Sequence, residues 1–229
     1  MDPLKVLVDV VALSRSRCEH PMQGELAYAT KENFLGRVVD GYLPDASRVC
    51  LLTRKAAEQL CLVQSALNRR GMGLFIFDAL RPLRAVRDFG TWYGEPIQTA
   101  FEAHRKQLHF PHLDKPDLVR LGYAPDSISR HCFGHVVDLS LIDLRTNELL
   151  DMGTIFDYFD VTSHHPEASA DVIGEVAFRN RQILTDTMEA FGFLGYAKEY
   201  WHFDYKETEL VDPVDMEITS DLLGLGCSR

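Results

Sequence analysis

Ser129-Arg130-His131-Cys132-Phe133-Gly134-His135-Val136-Val137-Asp138-Leu139-Ser140-Leu141 is the stretch on which the reading of this chain turns. Val136 to Leu141 has the apolar density of a buried strand, with Asp138 inside it. A carboxylate is costly to bury there unless it meets a cation or hydrogen-bond donors, and a partner arginine or a metal ion would each serve. His131 precedes Asp138 by seven residues, and on one strand that odd separation puts the two side chains on opposite faces. On one helix they would lie about 10 Å apart along the axis, too far to share an ion. They converge only if the chain bends, and Gly134 stands where a bend would form.

Working outward, Glu199-Tyr200-Trp201-His202-Phe203-Asp204-Tyr205 alternates as a strand from Tyr200 to Tyr205. The alternation puts Trp201 and Phe203 on one face and Tyr200, His202 and Asp204 on the other, so His202 can turn toward His131 and Asp138. Glu199 is expected in the loop at the strand entrance. Two imidazoles and a carboxylate suit one Zn²⁺ held by three protein ligands with a fourth position open, and a neighbouring glutamate suits a general base. Each residue alone has a plainer reading, as a core histidine or a solvated loop acid. It is the set that points to hydrolysis.

The rest of the chain mixes helices and strands. Leu51 to Arg70 is expected as a helix with Ala56, Leu60, Val63 and Leu67 on its inner face, Thr53 as N-cap and Gly71 as the stop. Leu74 to Phe77 reads as a buried strand, and Pro82 as the start of a helix carrying Leu83, Val86 and Phe89 inward. Residues 95–127 are polar, histidine-bearing and broken by prolines, and are expected as an insertion with a helix inside. Asp171 to Phe191 is expected as one long helix, and the acidic tail after Lys206 as weakly patterned. There is no βαβ rhythm and no glycine-rich phosphate loop. The expected class is therefore α+β, a central mainly antiparallel sheet flanked by helices in a single domain over residues 1–229.

Composition narrows the function classes. A formal net charge of −10 disfavours a nucleic-acid partner. No stretch reaches the ~20 apolar residues of a membrane helix, and the start lacks a basic leader with a clean apolar run. Cys18, Cys50, Cys61, Cys132 and Cys227 are odd in number and without CxxC pairing, which reads as free thiols in a reducing, cytoplasmic setting. Oligomeric state leaves no mark.

The pattern Ser-x-His-x-x-Gly-x-x-x-Asp with a distant Glu-x-Trp-His resembles the D-alanyl-D-alanine dipeptidases of the vancomycin-resistance type. The likeness extends to Tyr28-Ala29-Thr30 with Asn33-Phe34-Leu35-Gly36, and to Asp78-Ala79-Leu80-Arg81-Pro82. It continues through Met152-Gly153-Thr154-Ile155-Phe156-Asp157, Ser163-His164-His165, Asn180-Arg181 and Gly192-Phe193. It runs in one order from Tyr28 to Phe203. The resemblance implies the fold shared with D,D-carboxypeptidases and the hedgehog amino-terminal domain, and one zinc ion on His131, Asp138 and His202. It further implies Glu199 as general base and Arg81 as the group that stabilises the oxyanion. Asp157 and Tyr28 would receive the free amino end of a small D,D-dipeptide, with Ser129 lining the pocket. Tyr42 is a further lining candidate, although a packing tyrosine is its plainer reading. A zinc carboxypeptidase or endopeptidase on longer peptidoglycan stems, and a zinc-binding module without hydrolysis, are the competing readings.

Some positions depart from the family pattern. Arg130, His135 and Val136 stand where smaller residues are usual, Leu80 replaces a tyrosine, and residues 95–127 are longer than typical and suit a lid. His104, His109 and His112 suggest a second metal site, but no carboxylate is spaced to complete it. His135 is a nearby competitor for the ion that the family pattern does not use.

Overall fold

The computed structural model describes residues 2–125, 127–165 and 168–222. The elements in chain order are β1 (Leu7–Asp9), α1 (Val10–Arg17), β2 (Gln23–Gly24), β3 (Leu51–Thr53), α2 (Arg54–Asn68), β4 (Met72–Asp78), α3 (Leu83–Gly94), α4 (Ala100–His109) and α5 (Lys115–Arg120). They continue with β5 (Val136–Asp143), α6 (Ala170–Ile173), α7 (Glu175–Ala190), β6 (Phe193–Tyr196) and β7 (Glu199–Tyr205).

The apolar run at Met72–Asp78 and the run after Gly134 pair antiparallel, with Leu74 opposite Leu141 and Ile76 opposite Leu139. They form the middle of a five-stranded sheet in the order β2-β4-β5-β7-β6. Only the short β2–β4 pair is parallel, so the expected α+β class with a mainly antiparallel sheet holds. Leu74, Ile76, Val137, Leu139 and Leu141 are fully buried in one core with Leu60, Val63 and Leu67 of α2 and Leu184 and Met188 of α7. Burying each such side chain is worth about 1.5–3 kcal/mol, so this face fixes the register. The same register sets a row across three strands: Asp78 lies opposite Asp138, and Asp138 lies opposite His202. Opposed residues share a face, so the register that the apolar face fixes also brings these three polar side chains together on the opposite face.

Several local expectations change. The helix expected from Leu51 starts at Arg54, because Leu51–Thr53 pairs with Leu7–Asp9 in a small second sheet. Thr53 occupies the N-cap but makes no capping bond through its side chain. Gly71, with φ +73°, ends the turn after α2 as expected. The helix expected over 171–191 is two helices broken at Gly174, whose φ of +87° a helix cannot accommodate. Residues 95–127 hold two helices rather than one. Glu102 of α4 anchors them by accepting bonds from Trp92 Nε1 at 2.7 Å and Lys115 Nζ at 2.5 Å. The tail is packed: Leu210, Val214 and Ile218 are buried, and Asp215 accepts from Arg84 and Arg87. The part of the tail beyond 222, with Cys227, lies outside the described residues.

Candidate metal centre

His131 sits on a one-turn 3₁₀ helix, Arg130–Phe133, capped by the Ser129 hydroxyl, which accepts from His131 N at 3.3 Å. Gly134 ends that turn at φ +67°, a left-handed conformation that favours glycine. This is the bend that the spacing of His131 and Asp138 demands. Its carbonyl accepts from Thr53 N at 2.7 Å, which ties the bend to the strand before α2. The His131 Nδ1–H donates to the Ala79 carbonyl at 2.8 Å, which leaves the Nε2 lone pair of the neutral ring facing the pocket.

Three side chains meet there. His131 Nε2 lies 3.3 Å from Asp138 Oδ2 and 3.3 Å from His202 Nδ1, and His202 Nδ1 lies 3.1 Å from Asp138 Oδ1. Tetrahedral ligands at about 2.0–2.1 Å from one ion stand roughly 3.3 Å from one another, so the spacing fits a small divalent metal. Asp138 Oδ1 is buried and has no hydrogen-bond partner. A buried carboxylate that faces one ring nitrogen with each oxygen, one of them orphaned, is what a cation would satisfy. Among the described residues this is the one group of three such side chains that could hold a metal.

Glu199 is not in a loop. It is the first residue of β7, paired with Tyr196, 8% exposed, and its Oε2 lies 3.7 Å from His202 Nδ1. Arg81 follows the end of β4 and is buried. Its Nε donates to Asp78 Oδ2 at 2.9 Å, and Nη2 approaches Asp138 Oδ2 at 3.4 Å. The guanidinium thus separates two carboxylates that the strand register sets side by side. Its carbon lies 5.1 Å from the centre of the Tyr28 ring. The Tyr28 hydroxyl donates to Asp157 Oδ2 at 3.0 Å. Asp157 takes φ +58° in the loop after β5, one of two non-glycine residues at positive φ among those described.

These groups line a pocket of about 280 Å³ with Ser129, Phe159, Tyr196, and Tyr123, Ala124 and Pro125 from the stretch after α5. Asp78, Asp138, Asp157 and Glu199 face the single guanidinium of Arg81, leaving three negative charges in excess when all four acids are ionised. Burial, then the Asp138 and Asp157 carboxylates, push the Glu199 carboxyl well above the usual range. Burial and Asp138 likewise raise Asp157. Asp138 goes the other way: burial opposes its charge, but His131 and His202 beside it hold it well below the usual carboxylate range. Burial lowers His202 and favours the neutral ring that a metal requires.

Other candidates fall outside this group. Tyr42 does not line the pocket; its hydroxyl donates to Asp78 Oδ1 at 2.7 Å. Tyr200, expected beside His202, lies with its ring under Arg181 of α7 and its hydroxyl on the Thr154 carbonyl. His135 faces Asp204 at 3.3 Å rather than the metal group. Arg130 also pairs with Asp204, at 2.7 Å, on the pocket rim. Asp78 had no assigned role in the sequence, yet it is fully buried and takes bonds from both Tyr42 and Arg81. Its signal was its place in Asp78-x-x-Arg81, three residues ahead of a cation.

A family model described as D-ala-D-ala dipeptidase, of peptidase family M15, matches residues 12–219. A D-alanyl-D-alanine dipeptidase of Enterococcus faecium is 35% identical over 184 residues, which cover 80% of this chain and 86% of that protein. One of Streptomyces coelicolor is 37% identical over 180 residues, 79% of this chain and 84% of the relative. One of Escherichia coli is 30% identical over 182 residues, covering 79% and 77%. No helix among the described residues is long and apolar enough to cross a membrane.

Proposed function

Because the chain belongs to the M15 peptidase family of D-ala-D-ala dipeptidases, we infer that it hydrolyses D-alanyl-D-alanine or a closely related D,D-dipeptide. The observation that carries the reading is the meeting of His131, Asp138 and His202 around an orphaned carboxylate oxygen, with the Glu199 carboxylate beside them. The family is metal-dependent, and we assign one Zn²⁺ to those three side chains. Bound zinc supplies Lewis acidity, bringing the pKa of water to about 7 and polarising a carbonyl.

The chain's own residues do the rest. Glu199 takes the proton from the water that attacks the scissile carbonyl carbon, and returns it to the departing amine as the C–N bond breaks. Its proton affinity, raised by burial and then by the Asp138 and Asp157 carboxylates, suits the uptake of that proton. Arg81 is held by Asp78 and Asp138 through Nε and Nη2, and its fixed, always-charged guanidinium lines the pocket, where it stabilises the negative charge gained by the carbonyl oxygen. Asp157, oriented by Tyr28, pairs with the substrate ammonium. Ser129, whose hydroxyl oxygen accepts from His131 N, lines the pocket and can donate its hydroxyl proton to the other end of the substrate.

Charge supports this division. A divalent ion would offset part of that negative charge, and the substrate ammonium would pair with the Asp157 carboxylate. A substrate acylated on nitrogen would leave one buried carboxylate uncompensated. The volume of about 280 Å³ is at the small end for ligand pockets and suits a dipeptide rather than a peptidoglycan stem. The four described cysteines are free, in keeping with a cytoplasmic setting. On this reading the chain is one catalytic unit, with the stretch after α5 roofing the pocket.

The test is hydrolysis of D-Ala-D-Ala and of N-acetyl-D-Ala-D-Ala by the zinc-loaded protein. The free dipeptide is expected to be the better substrate by on the order of 100-fold, the cost of stranding a buried charge. Faster cleavage of the acylated compound would replace this reading with a carboxypeptidase.

A further inference from the structure

His109 is the last residue of α4, 3% exposed, and it touches the segment that carries Asp157 at two points. Its carbonyl accepts from Phe159 N at 2.7 Å, and its ring Nδ1 lies 3.0 Å from the Asp157 carbonyl oxygen. The other ring nitrogen, Nε2, lies 2.7 Å from Arg105 Nη2. An arginine only donates, so Nε2 accepts and the ring proton sits on Nδ1, from which it is given to Asp157. The tautomer is fixed by a residue one turn earlier on the same helix.

Arg105 is fixed in turn. Its Nε donates to the Asn33 carbonyl at 2.8 Å, Nη2 to the Glu32 carbonyl at 2.6 Å, and Nη1 to Glu32 Oε2 at 2.9 Å. That loop follows Tyr28, whose hydroxyl holds the Asp157 carboxylate. The contacts close a ring. Asp157 is gripped by its side chain from Tyr28 and by its backbone from His109, and Arg105 ties the two grips together.

The grip matters because Asp157 stands at φ +58°, a left-handed conformation that still costs an L-residue relative to negative φ, although aspartate tolerates it better than most. Released, the backbone would relax toward negative φ, and the Cα–Cβ bond would swing the carboxylate off Tyr28 and away from the pocket. We propose that His109 is a positioning residue for the amino-end subsite, donating from Nδ1 to the Asp157 carbonyl so that the carboxylate meets the substrate ammonium. The proposal rests on the assignment of Asp157 made above. It gives the α4 helix a task other than covering the pocket: its final turn sets the specificity of a residue in a distant loop.

The experiment compares His109→Phe, which keeps a ring but loses both bonds, with His109→Gln, which keeps a donor and an acceptor. Arg105→Met leaves the imidazole in place but removes the donor that fixes its tautomer. KM, kcat and zinc content are measured on D-Ala-D-Ala, with N-acetyl-D-Ala-D-Ala tested as substrate and as competitive inhibitor. Expected for His109→Phe is a KM raised on the order of tenfold, kcat within a few-fold, full zinc, and a smaller preference for the free amine. His109→Gln should restore the preference, and Arg105→Met should shift it in the same direction by less, which decides the matter even where His109→Phe does not fold. A loss confined to kcat, with KM and preference unchanged, would overturn the proposal. Asp157→Asn separates the two layers. If it leaves the preference intact, the amino-end assignment and this inference fall together; if it abolishes the preference while the His109 and Arg105 variants do not, only this inference falls.

Discussion

The proposed metal corner and the proposed amino-end corner of the pocket are built on opposite plans. His202, Asp138 and Asp78 form a row across three paired strands whose other face is core, so their spacing is inherited from the sheet register. Asp157 stands in a loop at positive φ, held by Tyr28 from one side and His109 from the other. The difference teaches where each demand is met. Ligand atoms must keep their spacing within tenths of an ångström, and backbone hydrogen bonding between strands provides that rigidity. On the proposed assignment, recognition of one end of a small substrate is left to a loop residue held by neighbouring loops and a helix.

The comparison breaks most visibly at the metal corner. His202→Ala should lose zinc and essentially all turnover, read by metal analysis and by release of D-alanine from D-Ala-D-Ala. Glu199→Gln should keep zinc and lose on the order of 10³-fold in kcat, since the amide cannot accept the proton. Unchanged zinc in the first variant would remove His202 from the ligand set. Full turnover in the second would mean that another group is the base.

Arg81 lies between the two corners, and its expected effect is next in size. Arg81→Lys keeps a charge but cannot hold Asp78 and Asp138 while also reaching the carbonyl oxygen, so kcat should fall on the order of 100-fold with KM little changed. A change in KM alone would make Arg81 a binding group of the ground state rather than a stabiliser of the oxyanion.

How much of this was legible follows the same division. His131, Asp138 and His202 could be chosen from the sequence because a buried strand with an acid in it, a glycine bend and an alternating aromatic strand are local patterns. Asp78 was not assigned, because its role depends on pairing with a strand some sixty residues away across a bulge. Glu199 was expected in a loop, since the hairpin that makes it a strand residue depends on Phe193–Tyr196, a run too short and too exposed to announce itself. The tail hid for a related reason: Leu210, Val214 and Ile218 are spaced four apart in a chain that is not helical. His109 was weighed as a metal ligand, for which it lacks companions. Its hydrogen bond to a backbone carbonyl forty-eight residues on leaves no mark in sequence spacing.

The smallest effect separates the corners by pH. Burial first, then the adjacent Arg105 guanidinium, lower His109 from 6.5 to about 4. The Asp157 and Phe156 backbone bonds work weakly against that. A base whose folded pKa is depressed takes up its proton more readily when unfolded. Its contribution is therefore complete above about pH 6.5 and is lost as pH falls toward 4. Between pH 7 and pH 5 the wild type should lose about 2 kcal/mol of unfolding free energy that His109→Gln does not lose, because glutamine does not titrate. Urea unfolding of the two proteins at both pH values measures the difference, with m-values compared to exclude a change in the unfolded state. Parallel losses in the two proteins would mean that the ring is already solvated in the fold, and the clamp on Asp157 would then be too loose to set its backbone.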